Sequence, residues 1–333
     1  MTTDATPPLR MAVIGCGRIG LLHARGIAGS KQATLAAVCD IDASRAEQVG
    51  KSFGAAAYHD VRGMLAAERL EAVTIATPDH AHVEPAAAAI EAGCHVFCEK
   101  PLAENYSAAQ RMASLALERG VHLGVDYNRR FGFGYKRARQ LFDQSAIGAL
   151  RSIVVLVSDP PPGPPLSENR FAIFTTLLTH HFDLVAWYGG PIRSIMAVAG
   201  PCKARVGQVH ITCELRTGVV ATIIANYRAG QLRTLERMDL IGSQGTLTVD
   251  NVTRGMTLER LGSDDVQTYR PDPSGSGDAF YQTLIDHLQS FIAHLARGES
   301  PDVTANDALA SLAAAEAAIQ SLQTGRAIEL PHT

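Results

Sequence analysis

The order of apolar and polar residues predicts an α/β protein with two domains, an N-terminal doubly wound domain on a parallel sheet and a C-terminal α+β domain with a large, mainly antiparallel open sheet. Three observations predict it. Short apolar runs alternate with amphipathic stretches over the first third of the chain, a GxGxxG segment joins the first run to the first amphipathic stretch, and beyond residue 125 β-rich runs separated by turn signals take over. The 333 residues exceed one usual core, and the boundary is drawn between residues 1–125 and 126–333.

The elements follow in order. LRMAVIG (9–15) reads as a strand, RIGLLHARGIAG (18–29) as a helix, ATLAAVCD (33–40) as a strand and ASRAEQVGKSFG (43–54) as a helix. Then come VRGMLAAE (61–68) as a short helix, EAVTIAT (71–77) as a strand, HVEPAAAAIEAG (82–93) as a helix and CHVFCEK (94–100) as a strand. SAAQRMASLALERG (107–120) is a helix closed by Gly120, and VHLGVDY (121–127) is one more strand. Parallel strands joined by helices of this length make a doubly wound sheet.

In the second part, 134–148 is helical, RSIVVLVS (151–158) is a strand, and SDPPPGPPL (158–166) is a loop whose prolines suit neither helix nor central strand. A helix over 174–188 ends at Gly189, Gly190 and Pro191. Segments 208–218, 219–230, 237–245 and 246–251 read as strands of a largely antiparallel sheet, and two alanine-rich amphipathic helices, 279–298 and 306–325, close the chain.

Composition excludes several classes. Hydrophobic residues at 46% and charged ones at 19% suit a folded core rather than disorder. A net charge of -3, with Lys and Arg scattered, offers no basic stripe for nucleic acid or an anionic membrane, so neither is expected as a partner. The chain shows no signal-peptide core and no apolar run of about eighteen residues, so a cytoplasmic location is expected. Cys16, Cys39, Cys94, Cys98, Cys202 and Cys213 mostly sit in apolar runs and are expected as buried free thiols. His80 and His82 have no third ligand near them in sequence, and no metal is expected.

GCGRIG places Gly15, Gly17 and Gly20 directly after a strand and at the opening of a helix. The first glycine permits the tight turn, the second lets backbone approach a pyrophosphate, and the third lets helix pack on strand; free N–H groups at the helix start, by Arg18 and Ile19, face the anion. Asp40 ends the next strand about twenty residues on, beside Ile41, where a carboxylate takes both ribose hydroxyls of an adenosine and repels a 2′-phosphate. NAD is therefore expected in preference to NADP, in a Rossmann-type domain.

Six segments together carry a resemblance: GCGRIG, ATPDHAH (76–82), CEKP (98–101), YNRRF (127–131), HHFD (180–183) and IGSQGTLTVDN (241–251). In this order and spacing the chain resembles the glucose-fructose oxidoreductase and inositol dehydrogenase (Gfo/Idh/MocA) family nearly end to end. The resemblance implies that the loop with Thr77, Pro78, His80 and His82 touches the cofactor, as do Glu99 and Asn128. It further implies that Lys100 stands beside nicotinamide and substrate, that Asp126 and Phe171 reach the substrate, and that His180 completes the pocket. A homodimer or homotetramer formed through the C-terminal sheet is implied as well.

Lys100 also has a case of its own. It falls at the carboxyl end of a strand, where open α/β sheets bind ligands, and a partly desolvated lysine beside a cationic ring should exchange protons near neutrality. Glu99 either pairs with it or contacts the nicotinamide ribose, the resemblance preferring the ribose. His180 and His181 are adjacent on a helix and cannot serve one pocket equally; the HxxD spacing to Asp183 favours His180, whose imidazole can relay a hydroxyl proton. Thr176 departs from the family, which usually carries an aspartate one turn before this histidine. Its hydroxyl either orients substrate or Lys100 from the face of His180, or is helix packing. Phe171 and Ala172 stand where the family has paired glycines, suggesting a substrate other than a plain inositol. The proline loop, 159–165, is either a rigid connection or a neighbour of the sugar site.

The expected activity is NAD-dependent, reversible oxidation of a secondary hydroxyl on a sugar, cyclitol or related cyclic polyol, with Lys100 and His180 as acid/base. Two alternatives stay open: a keto-sugar or sugar-nucleotide reductase or cyclic dihydrodiol dehydrogenase, and a non-catalytic NAD-binding sensor.

Overall fold

The computed structural model describes residues 7–160, 169–200, 206–227, 235–271 and 279–331. They fall into two compact units, Met1–Asn128 with Tyr281–Leu309, and Arg129–Phe280 with Ala310–Thr333.

The first unit is built on β1 (Leu9–Ile14), β2 (Ala33–Cys39), β3 (Ala56–Tyr58), β4 (Ala72–Ile75), β5 (His95–Cys98) and β6 (Leu123–Val125). They form one sheet in the order β3-β2-β1-β4-β5-β6, with every pair parallel. The order reverses between β1 and β4, which is where doubly wound sheets open a crevice at their carboxyl edge. The connecting helices are α1 (Arg18–Ala28), α2 (Ala43–Phe53), α3 (Val61–Ala67), α4 (Val83–Glu91) and α5 (Tyr106–Arg119). Capping sets their ends. The Asp42 and Asn105 side chains accept hydrogen bonds from the amides of Arg45 and Ala108 at the starts of α2 and α5, and both helices stop at left-handed glycines, Gly54 and Gly120. β3, only three residues long, is too short for its period to show in the sequence.

The chain continues through α6 (Phe133–Asp143), β7 (Leu150–Asp159), α7 (Leu178–Gly189), β8 (Ile192–Ala199), β9 (Gln208–Leu215), β10 (Val220–Tyr227), β11 (Leu235–Gly242), β12 (Gly245–Asp250), α8 (Asn251–Arg254), β13 (Gly255–Arg260), β14 (Val266–Tyr269), α9 (Ala279–Ala296), α10 (Ala305–Thr324) and β15 (Ile328–Glu329). The second unit's sheet has nine strands in the order β14-β13-β12-β11-β7-β10-β9-β8-β15. Only β7 and β10 pair in parallel; the remaining pairs are antiparallel. Alternation puts Val209, Ile211, Cys213 and Leu215 of β9 inward. There they share a core with Tyr135 and Leu141 of α6, Leu184 and Val185 of α7, and Ala314 and Ala318 of α10.

One sequence boundary is corrected. The sequence pattern gives everything after residue 125 to the second domain, whereas Tyr281–Leu309 belongs to the first unit. The apolar stripe of α9, with Leu288, Phe291, Ile292 and Leu295, buries against Met11, Val13, Ile27 and Phe97. Periodicity marks such a stripe but not which sheet it covers. Among the described residues, no helix is long and apolar enough to cross a membrane. Cys202 lies outside the described residues; Cys16, Cys39, Cys94, Cys98 and Cys213 are free and buried.

The two arginines of YNRRF, and the HHFD segment, do structural work inside the second unit. Arg130 chelates Asp183 through Nε and Nη2, while Arg129 Nε lies 2.9 Å from Oε2 of the fully buried Glu236 on β11. Glu236 also accepts from the Tyr135 hydroxyl at 2.6 Å and faces His181 Nε2 at 3.4 Å. Burial works to raise the Glu236 pKa and is outweighed by Arg129 and then His181, so the carboxyl is held well below its ordinary range. An exposed pair such as Arg10–Glu68 contributes about 0–1 kcal/mol. Breaking a buried one costs about 3–5 kcal/mol. Glu236→Gln should therefore lower unfolding free energy by about that amount in chemical denaturation. Because the folded pKa is depressed, the native carboxylate's contribution is full above the unfolded value near 4.5 and is lost as pH falls below it. A melting-temperature difference between native protein and variant that persisted unchanged well below pH 4.5 would contradict this assignment.

Candidate active site

The glycine turn in the first unit has three separate steric reasons. Gly15 has φ +95°, and a Cβ there would lie 2.6 Å from the Ala76 carbonyl carbon; at Gly20 it would lie 1.7 Å from the Gly15 carbonyl oxygen. A Cβ on Gly17 would meet nothing within 4 Å, so that residue leaves space instead of filling it. Gly17 caps α1 without any side-chain hydrogen bond, leaving the first amides of the helix directed at whatever enters.

Asp40, at the end of β2, is fixed from three sides. It accepts from the amides of Cys16 at 2.8 Å and Asp42 at 2.9 Å, and Arg45 lies 3.2 Å away. Arg45 also pairs with Asp42. A cleft of about 560 Å3 opens here, lined by Gly15, Gly17, Arg18, Ile19, Asp40, Ile41, Thr77 and Pro78 among the residues named from sequence, and by Arg45, His59 and Arg62 among those that were not. Burial raises the Cys16 and Cys39 thiols to about 12 and about 11, which leaves them unreactive beside the cleft.

The other expected cofactor residues do not line this cleft. Gly20 faces Gly15, and His80 is exposed. His82 is fully buried, its ring bridging the Thr77 carbonyl at 2.9 Å and the Pro101 carbonyl at 2.8 Å, so it works from behind the loops that follow β4 and β5. Asn128 donates to the Thr283 hydroxyl at 2.7 Å in the interior. Asp126, expected to touch substrate, is 1% exposed and bonded to His287 Nδ1 at 2.7 Å; its carboxyl belongs to the core. Glu99 and Lys100 follow β5 at the carboxyl edge of the sheet, Lys100 half-buried and joined to Pro101 by a cis peptide bond. His23, Glu99 and Asp126 lie close together, at a spacing that the sequence, scattering them over more than 100 residues, could not show.

In the second unit, Thr176 lies in a π-helical turn, Ile173–Leu177, ahead of α7, so the four-residue spacing to His180 spans a change of helical pitch. The Thr176 hydroxyl donates to the Ala172 carbonyl at 2.7 Å and shares a short hydrogen bond with the Tyr227 hydroxyl. Tyr227, at the end of β10, went unnoticed in the sequence because only sheet register brings a strand end to a helix start. His180 is 5% exposed and Phe171 half-buried. His181 is fully buried, with Nδ1 on the Leu177 carbonyl at 3.1 Å and Nε2 facing Glu236. Asp159 and Pro160 begin the proline loop; its remainder, 161–165, lies outside the described residues.

A parallel sheet in this order, a glycine turn with room over its second glycine, and an anchored acid after β2 define a dinucleotide-binding domain. Residues 9–127 match the family model for an oxidoreductase family with an NAD-binding Rossmann fold, and residues 135–248 match the Gfo/Idh/MocA C-terminal domain. The rhizopine catabolism protein MocA of Rhizobium meliloti is 30% identical over 327 residues, covering 94% of this chain and 95% of that protein. Inositol 2-dehydrogenase of the same species is 27% identical, covering 97% and 99%. An NAD-binding oxidoreductase from Klebsiella pneumoniae shares the fold, with a TM-score of 0.89, 23% identity and coverage of 98% and 100%. The chain belongs to the Gfo/Idh/MocA family of NAD-binding oxidoreductases.

The open space over Gly17 yields a test. Gly17→Ala should unfold at the same temperature as the native protein but bind NAD at least about tenfold more weakly by calorimetric titration, about 1.4 kcal/mol. Equal affinity would mean that no phosphate passes over this residue.

Proposed function

We propose that the protein reversibly oxidises a secondary hydroxyl of a sugar, cyclitol or related cyclic polyol, with Lys100 and His180 as the acid/base groups. The observation that carries this reading is the placement of Lys100. It follows β5, the glycine turn follows β1, the Thr77 loop follows β4, and these three strands are neighbours in one parallel sheet, so all three segments share its carboxyl edge. His82 ties the Thr77 and Pro101 carbonyls together and so sets where Lys100 leaves the sheet.

The residues fit NAD: the cleft has room, Asp40 offers an anchored carboxylate to a ribose, and α1 offers uncapped amides to a pyrophosphate. Bound NAD supplies the acceptor for the hydride that leaves the carbinol carbon. The Lys100 amine takes the hydroxyl proton as the carbonyl forms and returns it in the reverse direction. His180 hydrogen-bonds the same class of hydroxyl. Tyr227 steadies Thr176, and together they present a neutral hydroxyl pair where the family resemblance leads one to expect a carboxylate. Such a pair orients a substrate hydroxyl without adding negative charge.

The relatives' names support the substrate class, since besides the inositol dehydrogenases a D-apiose dehydrogenase of Paraburkholderia graminis is 28% identical over 347 residues. The outer face of the nine-stranded sheet supports self-association. There Val154, Leu156, Met196 and Ile224 are only half-buried, interleaved with Arg237, Asp239, His210 and Thr212, a mixed apolar and polar face suited to a second copy of the chain in a homodimer or homotetramer.

Screening cyclitols, sugars and cyclic diols for NAD reduction should find a secondary alcohol that is turned over. Lys100→Ala should lower kcat by about a hundred- to ten-thousand-fold while NAD affinity stays within about threefold of native. Undiminished turnover in that variant would refute the role of Lys100, and no turnover of any alcohol or ketone by the native protein would favour a sensor.

A further inference from the structure

Four ionisable side chains from four elements meet inside the first unit: His23 on α1, Glu99 after β5, Asp126 after β6 and His287 on α9. His23, Asp126 and His287 are each 1% exposed, and the Glu99 side chain 14%. His23 Nε2 stands 3.5 Å from Glu99 Oε1 and 4.0 Å from Asp126 Oδ2, and the three groups lie within 4.8 Å of one another. Those same three atoms find no hydrogen-bond partner among the described residues. Phe97 stands edge-on to both imidazoles, at 5.6 and 4.9 Å between centroids, and gives the group an apolar wall.

Two full negative charges do not persist in such a place. Each buried ion costs several kcal/mol to desolvate, and carboxylates this close repel, so one of them keeps a proton. Asp126, the more deeply buried of the two, is the one whose contacts accommodate it. With a proton on Oδ2, Asp126 presents Oδ1 as a carbonyl-like acceptor to the His287 Nδ1–H, and its O–H to the free oxygen of Glu99.

We propose that Asp126 is a protonated, neutral acid at neutral pH, sharing its proton with Glu99 directly or through one water, and that the single charge left on Glu99 is the fixed counter-ion of Lys100. Glu99 and Asp126 are thus positioning residues that act through Lys100, and the counter-ion half of the inference rests on the acid/base reading of that lysine. Burial, then the neighbouring Glu99, moves Asp126 well above the ordinary carboxylate range. Burial also works to raise Glu99 but is outweighed by the neighbouring His23 and Lys100, and Glu99 is lowered. The remaining titratable neighbour, the fully buried Cys98 thiol, is pushed up by burial and then by Glu99, Asp79 and Asp126, and stays neutral.

Infrared spectroscopy of the 333-residue chain at neutral pH reads the proton without turnover. The native protein should show the carbonyl stretch of a protonated carboxylic acid that shifts on isotopic labelling of aspartate carboxyls and disappears in Asp126→Asn. The labelling shift in native protein decides the matter even if the variant does not fold. Absence of the band, its failure to shift with the label, or a stoichiometric divalent cation in elemental analysis would overturn the proposal. For the counter-ion, Glu99→Gln should move the acidic limb of the oxidation kcat/KM profile to lower pH by about one unit, because removing the anion favours the uncharged amine. An unmoved limb overturns that half. Should Lys100→Ala retain turnover, the lysine reading fails while the infrared band remains, so the two failures are separable.

Discussion

Nothing larger than a hydrogen atom fits between Gly20 and the carbonyl oxygen of Gly15, and much of the first unit depends on that contact. It seats α1 against the end of β1, which aims uncapped amides into the crevice where the strand order reverses. The same seating turns His23 inward from α1 toward the ends of β5 and β6, so one packing constraint serves both the anion-binding turn and the buried acid cluster. Only glycine satisfies it, because any Cβ would have to displace backbone.

The two units treat buried charge differently. In the second, each buried ion has a close partner, Arg129 for Glu236 and Arg130 for Asp183, with Tyr135 supplying a further donor; this is the condition under which buried charge is tolerated. In the first, Glu99 and Asp126 share too few donors for two charges, and their burial makes protonation the cheaper solution. Fully paired ions hold a fold in one arrangement, whereas an under-partnered acid pair stays responsive to the charge on a neighbouring lysine.

Motif residues divide along the same line. In the sequence YNRRF and HHFD mark family and site, yet Arg129, Arg130, His181 and Asp183 brace the second unit. His82 lies in a loop expected at the cofactor but faces inward, joining two loops through their carbonyls. Sequence marks such positions by residue type and spacing, and neither says whether a side chain points into a cleft or behind it. Tyr227 and Arg45 show the converse, reaching their partners through sheet register and helix curl without any motif to announce them.

Local chemistry determined what the sequence could determine alone. Period-two and period-3.6 patterns marked most strands and helices, glycine spacing marked the turn after β1, and an acid twenty residues on marked the end of β2, because each depends on neighbours within a few turns of chain. Tertiary structure decided the rest: that α9 returns to the first unit, that His23, Glu99, Asp126 and His287 share one interior, and that Thr176 meets a phenol. Those contacts join residues far apart in the chain, and their energies come from burial and the exclusion of water, which exist only once the chain has closed around them.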